Sequence, residues 1–371
     1  MKDTTKSTPK ITRPTSSNRV VRPASTSSQA TNKNRQDEIN NGLRNLQYDP
    51  KILLSTKLNS DEQKGSKYIA RNGKCYYLNT VEHNIREYRQ PDIICRANTT
   101  VYPGAFVLAD KNLIEDNPRK PVLERGKLKV IMDFMGGYRT FREVIGTESN
   151  IKIAIQQMIN EFWKTGYSEG GSLAGTETGY TSLSEMTVDL KCDANFLGVE
   201  AKVNFNINST TKKIISVTDY TQVFYTVTIE IPKNRSDYFG DKVTWDEIKK
   251  EGVSNASPLA MTRTVSYGRR MYLFKEYTLD SNSFKGSQSV SGYGQTLKST
   301  QEIVNTTEES KKWVYIQGGG SAFAVGVYTD SDNPAAVKRL LNENPGFSPK
   351  NPGLPISYQT TFLKDNTIAH I

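Results

Sequence analysis

Between Met186 and Ile207 the chain alternates apolar and polar residues with a period of two. Met186, Val188, Leu190, Cys192, Ala194 and Phe196 hold every second position, the phase slips once at Leu197-Gly198, and the alternation resumes at Val199, Ala201, Val203, Phe205 and Ile207. Side chains of a strand point alternately to opposite faces, so the pattern predicts two strands, each with one wholly apolar face. A turn at Leu197-Gly198 sets Phe196 opposite Val199, Leu190 opposite Phe205 and Asp193 opposite Lys202. The last is an opposite-charge pair of the kind that contributes roughly 0.2–1 kcal/mol. Two-residue turns favour Gly or Asn at the position Leu197 occupies, so a longer loop also fits. Each arm has about the 9–11 residues that a tilted strand uses to cross hydrocarbon. A half-buried hairpin packed on a helix carries the same pattern.

Elsewhere, short alternating runs predict strands at Tyr68–Ala70, Cys75–Leu78, Asp92–Arg96, Ala105–Ala109, Leu128–Phe134, Thr264–Leu279, Lys311–Gln317, Ala322–Tyr328 and Ile356–Leu363. Gln222–Ile231 is another, with Val223, Tyr225, Val227, Ile229 and Ile231 on one face. The period changes to that of a helix at Ile151, Ile155, Met158, Ile159 and Phe162, where Ser149 or Asn150 is positioned to cap and Gly166 to stop. Further helices are predicted at Asp37–Gln47, at Thr244–Glu251 with a Thr244/Glu247 capping box, and at Pro334–Asn342. The Gly/Thr/Ser stretch Gly170–Gly179 reads as a hinge. Strands predominate without βαβ alternation, which predicts an α+β fold built on a large antiparallel sheet.

At 371 residues, the chain is long enough for two or three cores. Its net charge of +10 suggests nucleic acid until it is located: eight basic residues precede Asp37 against the single acid Asp3, so the body keeps little excess and no nucleic acid partner is expected. Residues 1–36, rich in Ser, Thr, Asn and Pro, read as a disordered basic leader or pro-segment. No apolar run reaches the ~18 residues of a spanning helix, and no intact signal peptide is visible. The two histidines, His83 and His370, cannot make a multi-His metal site or a relay, and the cysteines lack CxxC spacing. No Lys-Ser/Thr follows Gly318-Gly319-Gly320, so it is a turn and not a phosphate cradle. No enzyme, metal or cofactor is expected. Of the three cysteines, Cys75 and Cys95 sit on strand-like segments and are the candidate pair; the odd count leaves the redox compartment open.

Gln222–Leu279, with its Tyr267-Gly268-Arg269 signature, resembles the central region of the cholesterol-dependent cytolysins, and Asn98–Pro118 and Asn351–Ala369 agree in order. The resemblance implies an elongated α+β fold, a twisted antiparallel central sheet flanked by two helical clusters that convert to transmembrane β-hairpins. On this basis 1–37 is a tail; 38–53, 90–178, 229–274 and 349–363 form the sheet-and-helix scaffold; 54–89 and 364–371 belong to a truncated elongated strand region. The pore-forming region is 179–228 and 275–348, with hairpins 186–213 and 282–310. The first hairpin is the alternating stretch already described, whose apolar side becomes the lipid face. The second is Gly/Ser/Gln-rich, with Phe284, Val290, Leu297, Ile303 and Val304 as its apolar anchors.

The same resemblance makes Gly318 and Gly319 an oligomerisation hinge and Tyr180 an aromatic that stacks on a neighbouring subunit, with Trp313 as its partner. The family's Trp-rich undecapeptide and Thr-Leu pair have no counterpart here, so cholesterol binding by this chain is not expected. The chain looks like the short component of the cytolysin-like two-component pore-formers. That implies a secreted soluble monomer, membrane lipids, a homo-oligomer, a longer homologous pore-former and an activating protease. The alternative is a non-lytic surface or glycan-binding protein of the same fold.

Overall fold

The computed structural model describes residues 26–50, 65–71, 74–80, 92–93, 101–114, 118–166, 172–180, 213–278, 309–318, 326, 340, 347–349 and 351–369. In chain order the elements are α1 (Thr26–Arg44), β1 (Gly65–Arg71), β2 (Lys74–Thr80), β3 (Asp92–Ile93), β4 (Phe106–Leu108), the single turn α2 (Lys111–Ile114), β5 (Lys127–Phe134), β6 (Arg139–Ile145), α3 (Glu148–Lys164), β7 (Ser172–Tyr180), β8 (Lys213–Ile229), a 3-10 turn (Arg235–Tyr238), α4 (Trp245–Lys250), β9 (Leu259–Thr278), β10 (Glu309–Gln317) and β11 (Leu354–Phe362). β1 and β2 form a hairpin of their own, and the other nine strands make one sheet. Its spine runs β3-β11-β9-β8-β5-β6, with β10 and β4 added to β9 and β7 added to β8. All described pairings are antiparallel. The predicted α+β class is the one observed.

α3 lays Ile151, Ala154, Ile155, Met158, Ile159 and Phe162 on the sheet at helical spacing, and all six are buried. Beneath them lie Val130, Met132 and Phe134 of β5 and Tyr225, Val227 and Ile229 of β8. Phe134 and Phe162 stack with centroids 4.0 Å apart, and Phe347 packs its ring against Phe162, Trp163, Phe224 and Tyr225 at 5.3–5.8 Å. The alternation in β5 follows directly: Leu128, Val130, Met132 and Phe134 are buried while the residues between them are not. α4 has the expected reciprocal cap, with the Glu247 amide donating to Thr244 Oγ1 at 3.3 Å and the Thr244 amide donating to Glu247 Oε2 at 2.8 Å. Gly252, at φ +93°, closes it.

Several expectations are corrected. α1 begins at Thr26, not Asp37: Ile39, Leu43 and Leu46 bury against the core, and Arg35 Nη1 donates to Val243 O at 2.9 Å, so tertiary contacts extend a polar helix that its sequence alone does not mark. The cap of α3 is Thr147, whose side chain accepts from the Asn150 amide, two positions before Ser149 and not at Ser149 or Asn150. Ser172–Tyr180 is a nine-residue strand and not a hinge, because continuous pairing with β8 overrides its Gly/Thr/Ser composition. Phe224 is an extra residue between Val223 and Tyr225, so those two do not share a face. Gly326, the one described residue of Ala322–Tyr328, is helical, as short apolar runs allow.

Gly42 gives this packing a test of sign. A Cβ there would lie 2.3 Å from two atoms of the Trp245 indole. In an open helix Gly→Ala is expected to gain roughly 1 kcal/mol, but Gly42→Ala is expected to lose roughly 1–3 kcal/mol through overpacking. Urea unfolding followed by far-UV circular dichroism checks this; an unchanged or raised midpoint would refute the docking of α1 on α4.

Candidate functional site

β9 is twenty residues long and is shared by two different neighbours on one edge. β10 pairs with it over Arg270–Tyr277 and β11 over Ala260–Gly268, while β8 runs along its other side. The division falls at Gly268. A Cβ on this residue would sit 1.9 Å from the Gln222 carbonyl oxygen, so no larger residue fits without moving backbone. Two further glycines converge there in the left-handed region: Gly318 at φ +79°, whose Cβ would be 3.0 Å from Gly268 O, and Gly353 at φ +84°, whose Cβ would be 3.1 Å from Gly268 N. Opposite them β8 carries its Phe224 bulge.

Above this node stands a four-stranded block in the order β7-β8-β9-β10. Its centre is withdrawn from solvent on both faces, since the consecutive residues Met271 to Glu276 are all buried, as are Ser216, Val217 and Thr218. Charges in such a place need partners. Arg270 Nε donates to Asp219 Oδ1 at 2.9 Å and Nη2 to Oδ2, a two-point ion pair across β8 and β9. The guanidinium also lies 4.8 Å from the centroid of the Tyr272 ring. Burial by itself disfavours this cation, but Tyr272 and Asp219 outweigh it and hold Arg270 above the usual arginine range. Arg269 Nε donates to Gln222 Oε1 at 2.6 Å, and burial pushes its guanidinium down to about 10. Gln317 Nε2 donates to Pro355 O at 2.8 Å, tying the end of β10 to the start of β11.

Among the described residues, β7 pairs with β8 alone and β10 with β9 alone, so the block ends on each side in a strand with one described neighbour. Tyr180 is the last residue of β7, opposite Ile215; Trp313 lies in β10, opposite Phe274. The structure does not bring them together. They occupy opposite edges, three strand spacings or about 14 Å apart. Gly318 terminates β10 at the node, while Gly319 lies outside the described residues. Met186, Val188, Leu190, Cys192, Ala194, Phe196, Val199, Ala201, Val203, Phe205 and Ile207 lie outside them as well, as does Cys95. No group of three or more His, Cys, Asp or Glu among the described residues is placed to hold a metal. No described helix is long and apolar enough to cross a membrane, which says nothing of strands. Sequence reasoning missed Gly353 and the Asp219–Arg270 pair, and it assigned Gly268 no physical role. The available signal was slight: Asp219 is the one acid of β8, but β9 offers Arg263, Arg269, Arg270 and Lys275 as partners.

Among the described residues the site is thus an antiparallel sheet with one long shared strand and, on each side of the block, a lateral strand with one described neighbour. The model of the thiol-activated cytolysins matches residues 38–371, and the chain belongs to that family. It is 30% identical over 356 residues to perfringolysin O of Clostridium perfringens, covering 92% of this chain and 69% of that protein. It is 29% identical over 349 residues to streptolysin O of Streptococcus pyogenes, covering 90% of this chain and 60% of that protein. Among solved structures it resembles the human-specific toxin intermedilysin at a TM-score of 0.65 with 22% identity, over 91% of this chain and 72% of that one. Listeriolysin O gives 0.63 at 22% identity, over 94% and 72%. The relatives are cytolysins.

The ion pair inside the block can be tested directly. Asp219→Ala leaves the Arg270 side chain, 6% exposed, without its carboxylate, at an expected cost of roughly 3–5 kcal/mol. Asp219→Leu combined with Arg270→Met removes both charges and is expected to recover most of that loss. Denaturant melts of the two variants decide it, and equal destabilisation would mean that the pair is not coupled.

Proposed function

We propose that this chain is a secreted, water-soluble subunit of an oligomeric β-barrel pore. Copies gather on a membrane, pair edge to edge through β7 and β10, and insert Met186–Ile207 as a hairpin. Gly318-Gly319 is the hinge that frees the β10 edge, and Tyr180 of one copy stacks on Trp313 of the next. A longer homologous cytolysin supplies membrane docking, and a protease activates assembly.

The reading is carried by the register of β7 and β8, in which Tyr180 lies opposite Ile215 without a slip from Ser172 onward. Continued outward one residue at a time, that pairing would bring Asp193 opposite Lys202 and Phe196 opposite Val199, with Leu197-Gly198 at the tip. These are the partners that apolar alternation demanded with no structure in hand. A one-residue slip would turn every apolar side chain to the other face, so agreement between ladder and sequence is a demanding condition. The continued ladder keeps all of Met186 to Phe196 and Val199 to Ile207 that are apolar on one side, and Asp189, Lys191, Asp193, Glu200 and Lys202 on the other. One face suits acyl chains and the other a water-filled lumen.

Dye release from liposomes, with the chain alone and with a longer homologous cytolysin, before and after protease treatment, tests the proposal. Absence of release in every combination would leave the non-lytic binder. Val203→Asp, on the lipid side, is expected to abolish release with the soluble fold intact, whereas Lys202→Gln, on the lumen side, is expected to be mild. Undiminished release by Val203→Asp would remove the hairpin from the account.

A further inference from the structure

A cleft of about 300 Å³ opens where α3 meets the chain entering β11, a volume at the lower end of the range for small-molecule sites. Ile155 and Ile159 of α3 form one wall, and Leu354 and Pro355 form the other. Its deep end is made by Tyr225 of β8 and Tyr267 of β9, which are only 2% and 8% exposed. The two are cross-strand partners whose rings stack with centroids 4.9 Å apart and planes 12° from parallel. Among the described residues, neither phenol oxygen has a hydrogen-bond partner. Buried hydroxyls normally have one, so two idle donors lining an open cleft call for an acceptor.

Burial raises both phenols above the ordinary tyrosine range, and at Tyr225 the neighbouring Tyr267 adds to the rise. Both therefore stay neutral donors at physiological pH. Rings 4.9 Å apart can be bridged by one oxygen that accepts two O–H bonds of about 2.7–2.8 Å, and a carbonyl oxygen has the two lone pairs to do so. An anion does not fit. The cation at the mouth is committed, since Lys152 Nζ donates to Glu148 Oε1 at 2.6 Å, and Gln156 Nε2 beside it donates to Asn160 Oδ1 at 3.1 Å. A carboxylate would exchange its water for two neutral hydroxyls, which do not offset the desolvation of a charge.

We propose that this cleft binds a small uncharged molecule with an apolar body and one carbonyl oxygen, seated between α3 and the entry to β11, with the carbonyl accepting from Tyr225 and Tyr267. The wall such a molecule touches also belongs to the glycine node. Gly353 lines the cleft and abuts Gly268, and Pro355 O accepts from Gln317 Nε2 at the end of β10. An occupant wedged between α3 and Leu354–Pro355 braces that wall, and through the Gln317 bond it holds the end of β10 in place. Binding is independent of the pore reading, since it needs only the cleft and its two hydroxyls.

Two probes of one shape test it on the full-length chain by saturation-transfer NMR titration: acetophenone, and α-methylstyrene, in which a methylene replaces the carbonyl oxygen. Acetophenone is expected to bind with a Kd below roughly 1 mM, and α-methylstyrene roughly tenfold more weakly for want of its hydrogen bonds. Tyr225→Phe combined with Tyr267→Phe keeps both rings. It is expected to lower acetophenone to the affinity of α-methylstyrene and to leave α-methylstyrene unchanged. No binding of acetophenone, equal affinity for the two probes in the native chain, or an undiminished preference in the double variant overturns the site. Should the variant bind neither probe, the comparison in the native chain decides alone. Hydrogen exchange reads the bracing: with acetophenone bound, the amides of Val314–Gln317 are expected to exchange several-fold more slowly and those of β6 at their former rate. Unchanged exchange in β10 overturns its coupling to the cleft.

Discussion

The arrangement of this sheet depends on the absence of a side chain at Gly268. With the Gln222 carbonyl 1.9 Å from where a Cβ would be, β8 and β9 approach more closely than any other residue permits. Around that contact β8 takes in an extra residue at Phe224, and the outer edge of β9 passes from β11 to β10. One close approach therefore fixes a phase change, a division of partners and the point where Gly318 and Gly353 must turn.

The consequences differ on the two sides of that point. Below it, Tyr225, Val227 and Ile229 face α3, and the opposite face carries a polar ladder in which Thr228 Oγ1 and Thr264 Oγ1 lie 3.2 Å apart. Above it the centre of the block is buried on both faces, so its polar groups are held in specific pairs: Arg270 with Asp219, Arg269 with Gln222. Such pairs contribute little net stability once desolvation is counted. They do penalise a slipped register, which would separate each donor from its acceptor inside a dry block. Were the register to continue outward into the proposed hairpin, that penalty would keep it in phase.

Elements whose signal is local were legible in the sequence. α3 announces itself by the spacing of Ile151 to Phe162, α4 by Thr244 and Glu247, and β5 by strict alternation. Those that exist through a distant partner were not. Ser172–Tyr180 holds two glycines, two threonines, a serine and a glutamate in its nine positions, a composition that reads as loop until β8 is beside it. α1 is held by partners some two hundred residues away, Arg35 donating to Val243 O and Asn40 Oδ1 accepting from the Ser236 amide. Bulges at Phe224 and Ser310 leave no mark in composition, since they are properties of a ladder and not of a strand. Of the candidate site, the sequence singled out Gly318, which ends β10, but the reason for Gly268 required knowing which carbonyl lies over it.

The edges of the sheet are not equivalent, and this bears on how copies meet. β6 is an outer strand of seven residues that carries Arg139, Arg142 and Glu143, the kind of charged edge that discourages pairing. β7 carries one charge, Glu177, in nine residues, and the charges of β10 are confined to its first four positions. Among the described residues, the weakly guarded outer strands are therefore the two that flank the four-stranded block. Because they lie on opposite sides and differ from each other, the proposed pairing between copies would be head to tail, and such contacts end only by closing a ring. A hairpin alone in lipid would leave backbone groups unpaired at several kcal/mol each. In the proposed pore, the register built around Gly268 would serve only when many copies share it.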